Sequence, residues 1–275
     1  SLSLSLGSSV YAFSSILVVF LCGLALGSSL YERWFGKTTP EWRHLAGLSL
    51  GVGVTSVLAI PVLGRLPLLF VACFPFVRDH YWQVILLDLV LCGLVLILPT
   101  SLMGLAFPLA TQLNHQITGQ IGRSVGNIYS SNTLGCILGS SLTGFVLIPN
   151  LGVQRTLELA ACGCCWVAAL YARQSSSRGW RKSTALLLVL GVGPLAIPDW
   201  DPALAASGLA THGALLRTAN SRYLPHQPAY HRDGLSGTVS VLMWGPGGLT
   251  MRVNGKPEAS LAVQDRAQQT ILGLL

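Results

Sequence analysis

Five apolar stretches, Val10 to Leu30, His44 to Leu63, Val84 to Ala110, Val125 to Ile148 and Val153 to Ala172, decide which solvent most of this chain folds in. Each meets or approaches the ~20 residues that a helix needs to cross about 30 Å of hydrocarbon. Lipid offers no hydrogen-bond partners, so each segment must satisfy its own backbone, and a helix does that. The sequence is 51% hydrophobic and 10% charged, against about a quarter charged in soluble globular proteins. A sixth stretch, Ala185 to Pro198, is shorter and is broken by Gly191, Gly193 and Pro194. It reads as a tilted short span, a half-helix or an interfacial segment, which gives a membrane all-α bundle of about five to six spans.

The net charge of +7 does not point to nucleic acid, because the basic residues gather at the ends of the apolar stretches. Arg173, Arg178, Arg181 and Lys182 share one short loop, Arg33, Lys37 and Arg43 another, and Arg123 sits in a third. The positive-inside rule assigns these loops to the cytoplasm. The loops holding Arg78 beside Asp79, and Arg155 near Glu158, then face out. A fully crossing sixth segment would put everything after Pro198 outside as well, so either Ala185 to Pro198 does not cross or a span is miscounted. The opening Ser1 and its Ser-Leu alternation carry no initiator Met and no basic n-region. The chain therefore reads as beginning within a longer protein, without a signal peptide.

The seven cysteines, Cys22, Cys73, Cys92, Cys136, Cys162, Cys164 and Cys165, lie in or beside apolar segments, which is not the layout of a disulfide framework. Cys162-Gly163-Cys164-Cys165 lacks a second pair or a histidine cluster to complete a metal site, so helix packing is the simpler reading. Small residues four apart let membrane helices approach closely. Gly23 and Gly27, Gly47 and Gly51, Gly122 and Gly126, and Gly135 and Gly139 have this spacing and are expected to form packing seams. Pro61, Pro99 and Pro108 are expected to kink or end helices, and Arg65 to mark where one leaves the membrane. Asp88 is the one carboxylate well inside an apolar stretch. It is a proton or cation site by default, or it lies close enough to Trp82 for water to reach. Asn127, Tyr129 and Asn132 stand in a further apolar stretch and must bond to neighbours or line a polar cavity.

Near Ile197 the chain changes character. Residues 199–229 are rich in Pro, Gly, Ser, Ala and His, the composition of a linker. His212, His226 and His231 have no metal-ligand spacing. Tyr230-His231-Arg232-Asp233-Gly234 reads as a turn. Thr238 to Trp244 alternates with a strand period, placing Val239, Val241 and Met243 on one face. Gly245-Pro246-Gly247-Gly248 turns the chain, and Leu249, Met251 and Val253 supply the apolar face of a second strand. Asn254-Gly255 ends it, Glu258-Ala259-Ser260 starts a third short strand, and Asp265 with Gln268 caps a closing helix expected to pack on the hairpin. Three regions result: a transmembrane domain over 1–198, a linker over 199–229 and a strand module over 230–275.

Read from Tyr230 to Leu275, the module resembles the small N-terminal strand domain of spermidine synthases, the polyamine aminopropyltransferases. Gly126-Asn127-Ile128-Tyr129-Ser130-Ser131-Asn132-Thr133-Leu134-Gly135, running on to Gly144-Phe145-Val146-Leu147-Ile148-Pro149, and Gly104-Leu105-Ala106-Phe107-Pro108-Leu109 are similar to helices of bacterial proteins in which a major-facilitator-like membrane region is fused to such a synthase. The resemblance implies a nucleotide-binding domain after Leu275, with the Gly-rich loop and catalytic Asp there and no catalytic residue in this chain. It implies decarboxylated S-adenosylmethionine as co-substrate, a polyamine or other amine as acceptor, the lipid bilayer and a second copy as partners, and a multi-pass protein of the cell (inner) membrane. Because the donor is cytosolic, it also implies a cytoplasmic module. In that family a Gln after an apolar-Asp-Gly turn, and a Tyr on the following helix, line the donor and amine pockets. Here Asn254 stands in the turn, Glu258 in place of the Gln, Asp265-Arg266 in place of the Asp-Glu pair, and Gln269 in place of the Tyr, so the scaffold matches more closely than the pocket. Asn254, Glu258, Asp265 and Gln269 are the candidate substrate-binding residues. The alternative is a membrane transporter or binding protein for polyamines with a non-catalytic module, in which Asp88, Asn127, Tyr129 and Asn132 matter most.

Overall fold

The structure, a computed structural model, describes residues 10–36, 39–77, 81–174, 179, 197–201, 228–234, 237–244 and 248–260. Its helices are α1 (Val10–Phe35), α2 (Trp42–Val77), α3 (Tyr81–Thr118), α4 (Ile121–Leu142) and α5 (Ile148–Gln174), with a π-helical segment, Thr143–Leu147, between the last two. Four helical stretches are long and apolar enough to cross a membrane: Phe13–Phe35, Trp42–Phe70, Trp82–Thr118 and Ile121–Gln174. Four strands follow: β1 (Tyr230–Asp233), β2 (Thr238–Trp244), β3 (Gly248–Val253) and β4 (Lys256–Ser260). The expected helices at 185–198 and 265–275 and most of the linker lie outside the described residues.

The chain divides into two compact units, one of Leu17–Val62 and Cys92–Pro198, the other of Ser1–Ile16, Leu63–Leu91 and Asp199–Leu275. In the first unit the contacts fix the direction of every helix. A Cβ on Gly23 would collide with Thr100, and one on Gly27 with the Ser101 carbonyl, standing 2.9 Å from Gly104 Cα. Tyr31 Oη donates to Gln112. Residue numbers rise together, so α1 and α3 run parallel with their backbones almost touching. Leu45 and Leu48 pack with Leu105, Leu109 and Leu113, and Gly51 faces Leu102, which makes α2 antiparallel to α3. Ala46 packs with Ala169 and Ala172, and Gly53 faces Cys165 and Ala161, so α2 is antiparallel to α5 too. Thr118 meets Ser124 across the α3–α4 turn at 2.5 Å. One end of this unit therefore gathers the last turn of α1 with Arg33, the start of α2 with Arg43, the start of α4 with Arg123, and the last turn of α5 with Arg173.

Several local expectations are corrected. Of the two effects expected of Pro61, Pro99 and Pro108, a kink or an end, they do not end helices: α2 and α3 run through them. Arg65, expected where a helix leaves the membrane, lies inside the apolar stretch Trp42–Phe70 of α2, which continues to Val77. The break in the long 121–174 stretch falls at Gly152, whose φ of 81° and ψ of 170° are non-helical, a backbone that L side chains rarely adopt. Gly135 and Gly139, like Gly122 and Gly126, have nothing within 4 Å of an added Cβ, and of α4 only Ser124 is buried. These two glycine pairs are not seams among the described residues, whereas Gly23 and Gly27 are.

The sheet is an antiparallel meander in the order β1-β2-β3-β4. Tyr230–Asp233, expected as a turn, is an edge strand instead, pairing Tyr230 with Val241 and Asp233 with Thr238. The β2–β3 hairpin and a third strand over Glu258–Ser260 form as the alternation indicates. Asn254 and Gly255 take φ of 52° and 78° between β3 and β4, the two-residue turn whose twist suits flanking strands. Opposite Met251 and Arg252 stand Ala259 and Pro257, which leaves Glu258 as the extra residue of a bulge.

Candidate functional site

On α3 the side chains separate into two stripes at helical spacing. Leu86, Val90, Leu94 and Leu98 are exposed, whereas Leu87, Asp88, Leu91, Cys92 and Val95 are buried. Asp88 thus lies on the inward stripe with 6% of its surface accessible. Its Oδ1 is buried and has no hydrogen-bond partner among the described residues. Sequence reasoning singled out Asp88 but could not tell its inward direction, because leucine occupies both stripes.

The chain handles a second buried acid differently. Glu158 of α5 is fully buried; Arg155 Nη1 lies 2.8 Å from its Oε2, and Gln154 Nε2 donates to its Oε1 at 2.8 Å. A buried charge is stable when it is paired and hydrogen-bonded. The same Gln154 amide donates to the Pro198 carbonyl at 3.0 Å. Pro198 therefore sits at the start of α5, about 30 Å along the helix from Gln174, and so at the opposite end from Arg173. Sequence reading missed this clamp, because Gln154 and Pro198 are 44 residues apart and nothing local links them.

The polar residues of α4 are not brought together with Asp88. Asn127 and Asn132 are exposed and make no side-chain hydrogen bond among the described residues. Tyr129 is exposed and sets its ring edge-on to Phe107 at 6.5 Å. Of the two roles expected of them, bonding to neighbours or lining a polar cavity, the first is not seen among the described residues.

In the sheet, the two faces are used against expectation. Val239, Val241, Leu249 and Val253 are only half-buried, while Met243 and Met251 are exposed. The buried face is Thr238, Ser240, Leu242, Thr250 and Arg252. Residues directly opposite each other in register bond across it: Thr238 Oγ1 donates to Asp233 Oδ1 at 2.5 Å, His231 Nδ1 pairs with Ser240 Oγ at 2.9 Å, and Thr250 Oγ1 donates to Ser260 Oγ at 3.4 Å. Burial holds the Arg252 guanidinium below its usual pKa. Of the candidate pocket residues, Asn254 is occupied in the turn: its Oδ1 accepts from the Thr238 amide at 2.9 Å, and its own amide donates to the Thr238 carbonyl at 2.8 Å. Glu258 is exposed at the bulge. Asp265 and Gln269 lie outside the described residues, as do His212 and His226.

No protein-family model, no curated protein and no solved structure matches the chain.

Proposed function

We propose that the chain is the amino-terminal part of a membrane-bound aminopropyltransferase-like protein, with the helices as its anchor and the sheet as the cover of an amine pocket. The observation that carries this reading is the four-stranded antiparallel meander, closed by the Asn254-Gly255 turn, that follows the apolar helices. In the complete protein an acid near the amine removes its proton, the amine nitrogen attacks the carbon beside the sulfonium of decarboxylated S-adenosylmethionine, and the thioether leaves. This chain supplies none of those reacting groups and is inactive alone. The test is product formation by the complete protein from that donor and putrescine. An aminopropylated amine supports the reading, and its absence from folded, donor-binding protein overturns it.

One observation favours a second reading, a polyamine-binding or transporting membrane protein with a non-catalytic module. Pro198 stands at the end of its unit opposite Arg33, Arg43, Arg123 and Arg173. If those arginines face the cytoplasm, the chain emerges at Asp199 on the other side, away from cytosolic adenosyl donors. A cysteine in place of the exposed Glu258, challenged with an impermeant maleimide in intact cells, separates the readings. Labelling above that of the unsubstituted chain favours binding or transport, whereas labelling only after permeabilisation favours transfer.

A further inference from the structure

We propose that Asp88 is a proton-binding site of the membrane region, a carboxyl that stays in its acid form and exchanges its proton with one side of the membrane. The inference is independent of either functional reading. It rests on a contrast within the molecule. Glu158 and Asp88 are both buried acids on apolar helices. Glu158 has a guanidinium and an amide on its two oxygens, as an ionised carboxylate requires. Asp88 sits among Leu87, Leu91, Cys92 and Val95 with Oδ1 buried and without a donor. A bare carboxylate there would lose its hydration with nothing in return, a penalty of several kcal/mol. Taking up a proton removes that penalty at once.

Among the described residues, the charges offer no other solution. Along α1 to α3, Glu32, Arg33 and Arg43 lie towards the arginine-bearing end. Asp199 and Asp201 flank Trp200, whose indole packs on Gly64 of α2. Arg65 of α2 belongs to the same unit as Asp88. Arg65 is nevertheless exposed and forms no ion pair with Asp88 among the described residues. A metal cation would need several oxygen ligands, and the stripe provides one carboxyl. No group of three or more metal-binding side chains occurs among the described residues. The proton is the cation that needs only one ligand.

Dicyclohexylcarbodiimide, which reacts with protonated carboxyls in apolar surroundings, is the probe. The full chain in native membranes is treated across a pH series and mapped by mass spectrometry. The expected result is an adduct on Asp88 and none on Glu158, declining as rising pH ionises the carboxyl, and lost in Asp88→Asn. The isosteric variant should melt as the wild type does, which separates loss of the site from loss of the fold. Arg65→Gln should leave the adduct unchanged, as should sodium chloride. Three results would overturn the proposal: no adduct on Asp88 in folded protein at any pH, protection by sodium but not by potassium, or labelling that appears only in Arg65→Gln. The first would mean that the carboxyl is inaccessible or ionised, the second that it holds a metal cation, and the third that it is the arginine's partner.

Discussion

Gly27→Ala adds one methyl group where α1 and α3 touch backbone to backbone, and Gly135→Ala adds the same group where nothing lies within 4 Å. Both replace a helical glycine with alanine, so the gain in helix propensity, up to about 1 kcal/mol, cancels between them. What remains is the neighbour. At Gly27 the methyl must displace the Ser101 carbonyl and the Gly104 backbone, neither of which can rotate away as a side-chain end could. Overpacking of this kind costs about 1–3 kcal/mol. Pushing the helices apart also stretches the bond from Ser28 Oγ to the Gly104 carbonyl, 3.2 Å long in the native contact and worth about 0.6 kcal/mol by the average for membrane helices. We therefore expect Gly27→Ala to be less stable than Gly135→Ala by about 2 kcal/mol, measured by reversible unfolding of the full chain in mixed micelles. Equal stabilities, or greater damage from Gly135→Ala, would refute the assignment of the seam to α1 and α3 and return it to α4.

Arg155→Ala leaves Glu158 with one amide donor. Loss of a buried pair costs about 3–5 kcal/mol, and with Arg155 itself 39% exposed we expect roughly half of that, recovered by adding Glu158→Gln and read by the same unfolding assay. Asn254→Ala removes the short polar side chain that makes φ 52° tolerable and, with it, the acceptor for the Thr238 amide; a loss of about 2 kcal/mol is expected. Faster hydrogen exchange at Thr238 would report it, and Asn254→Gly should restore the backbone share only. The leucine variants Gly135→Leu and Gly139→Leu should unfold at or slightly above the wild-type temperature in micelles; a marked drop in either would mean that this face is packed.

The helices were legible because a bilayer leaves few alternatives, and the apolar runs locate them, although α2 runs on from Leu63 to Val77 and α3 from Ala110 to Thr118. What was not legible was always a matter of the partner. Gly23 and Gly135 carry the same signal, a second glycine four residues on, and the sequence shows one side of a contact that needs two. Asp88 could be placed within a span, but not on the inner stripe. Its direction depends on which of two leucine-lined faces meets protein. In the sheet, the alternation of β2 and β3 was readable and the Asn254-Gly255 turn followed from local chemistry. Which face is covered did not follow. Thr238 and Ser240 look like an outer face until the cross-strand bonds to Asp233 and His231 satisfy them. Tyr230–Asp233 has the polar residues of a loop and becomes a strand through its register with β2, a long-range choice invisible in four residues.

The two borders of the sheet have unequal prospects for growth. Along β4, Pro257 lacks an amide proton, the bulge at Glu258 interrupts the ladder, and Lys256 adds a charge; each is a known device against unwanted strand addition. Along β1, four residues with regular pairing and no proline leave an outward row of amides and carbonyls that no strand covers among the described residues. Any strand recruited from solution, whether in a crystal, an aggregate or an engineered fusion, should therefore enter beside Tyr230–Asp233 and extend the sheet from that border only.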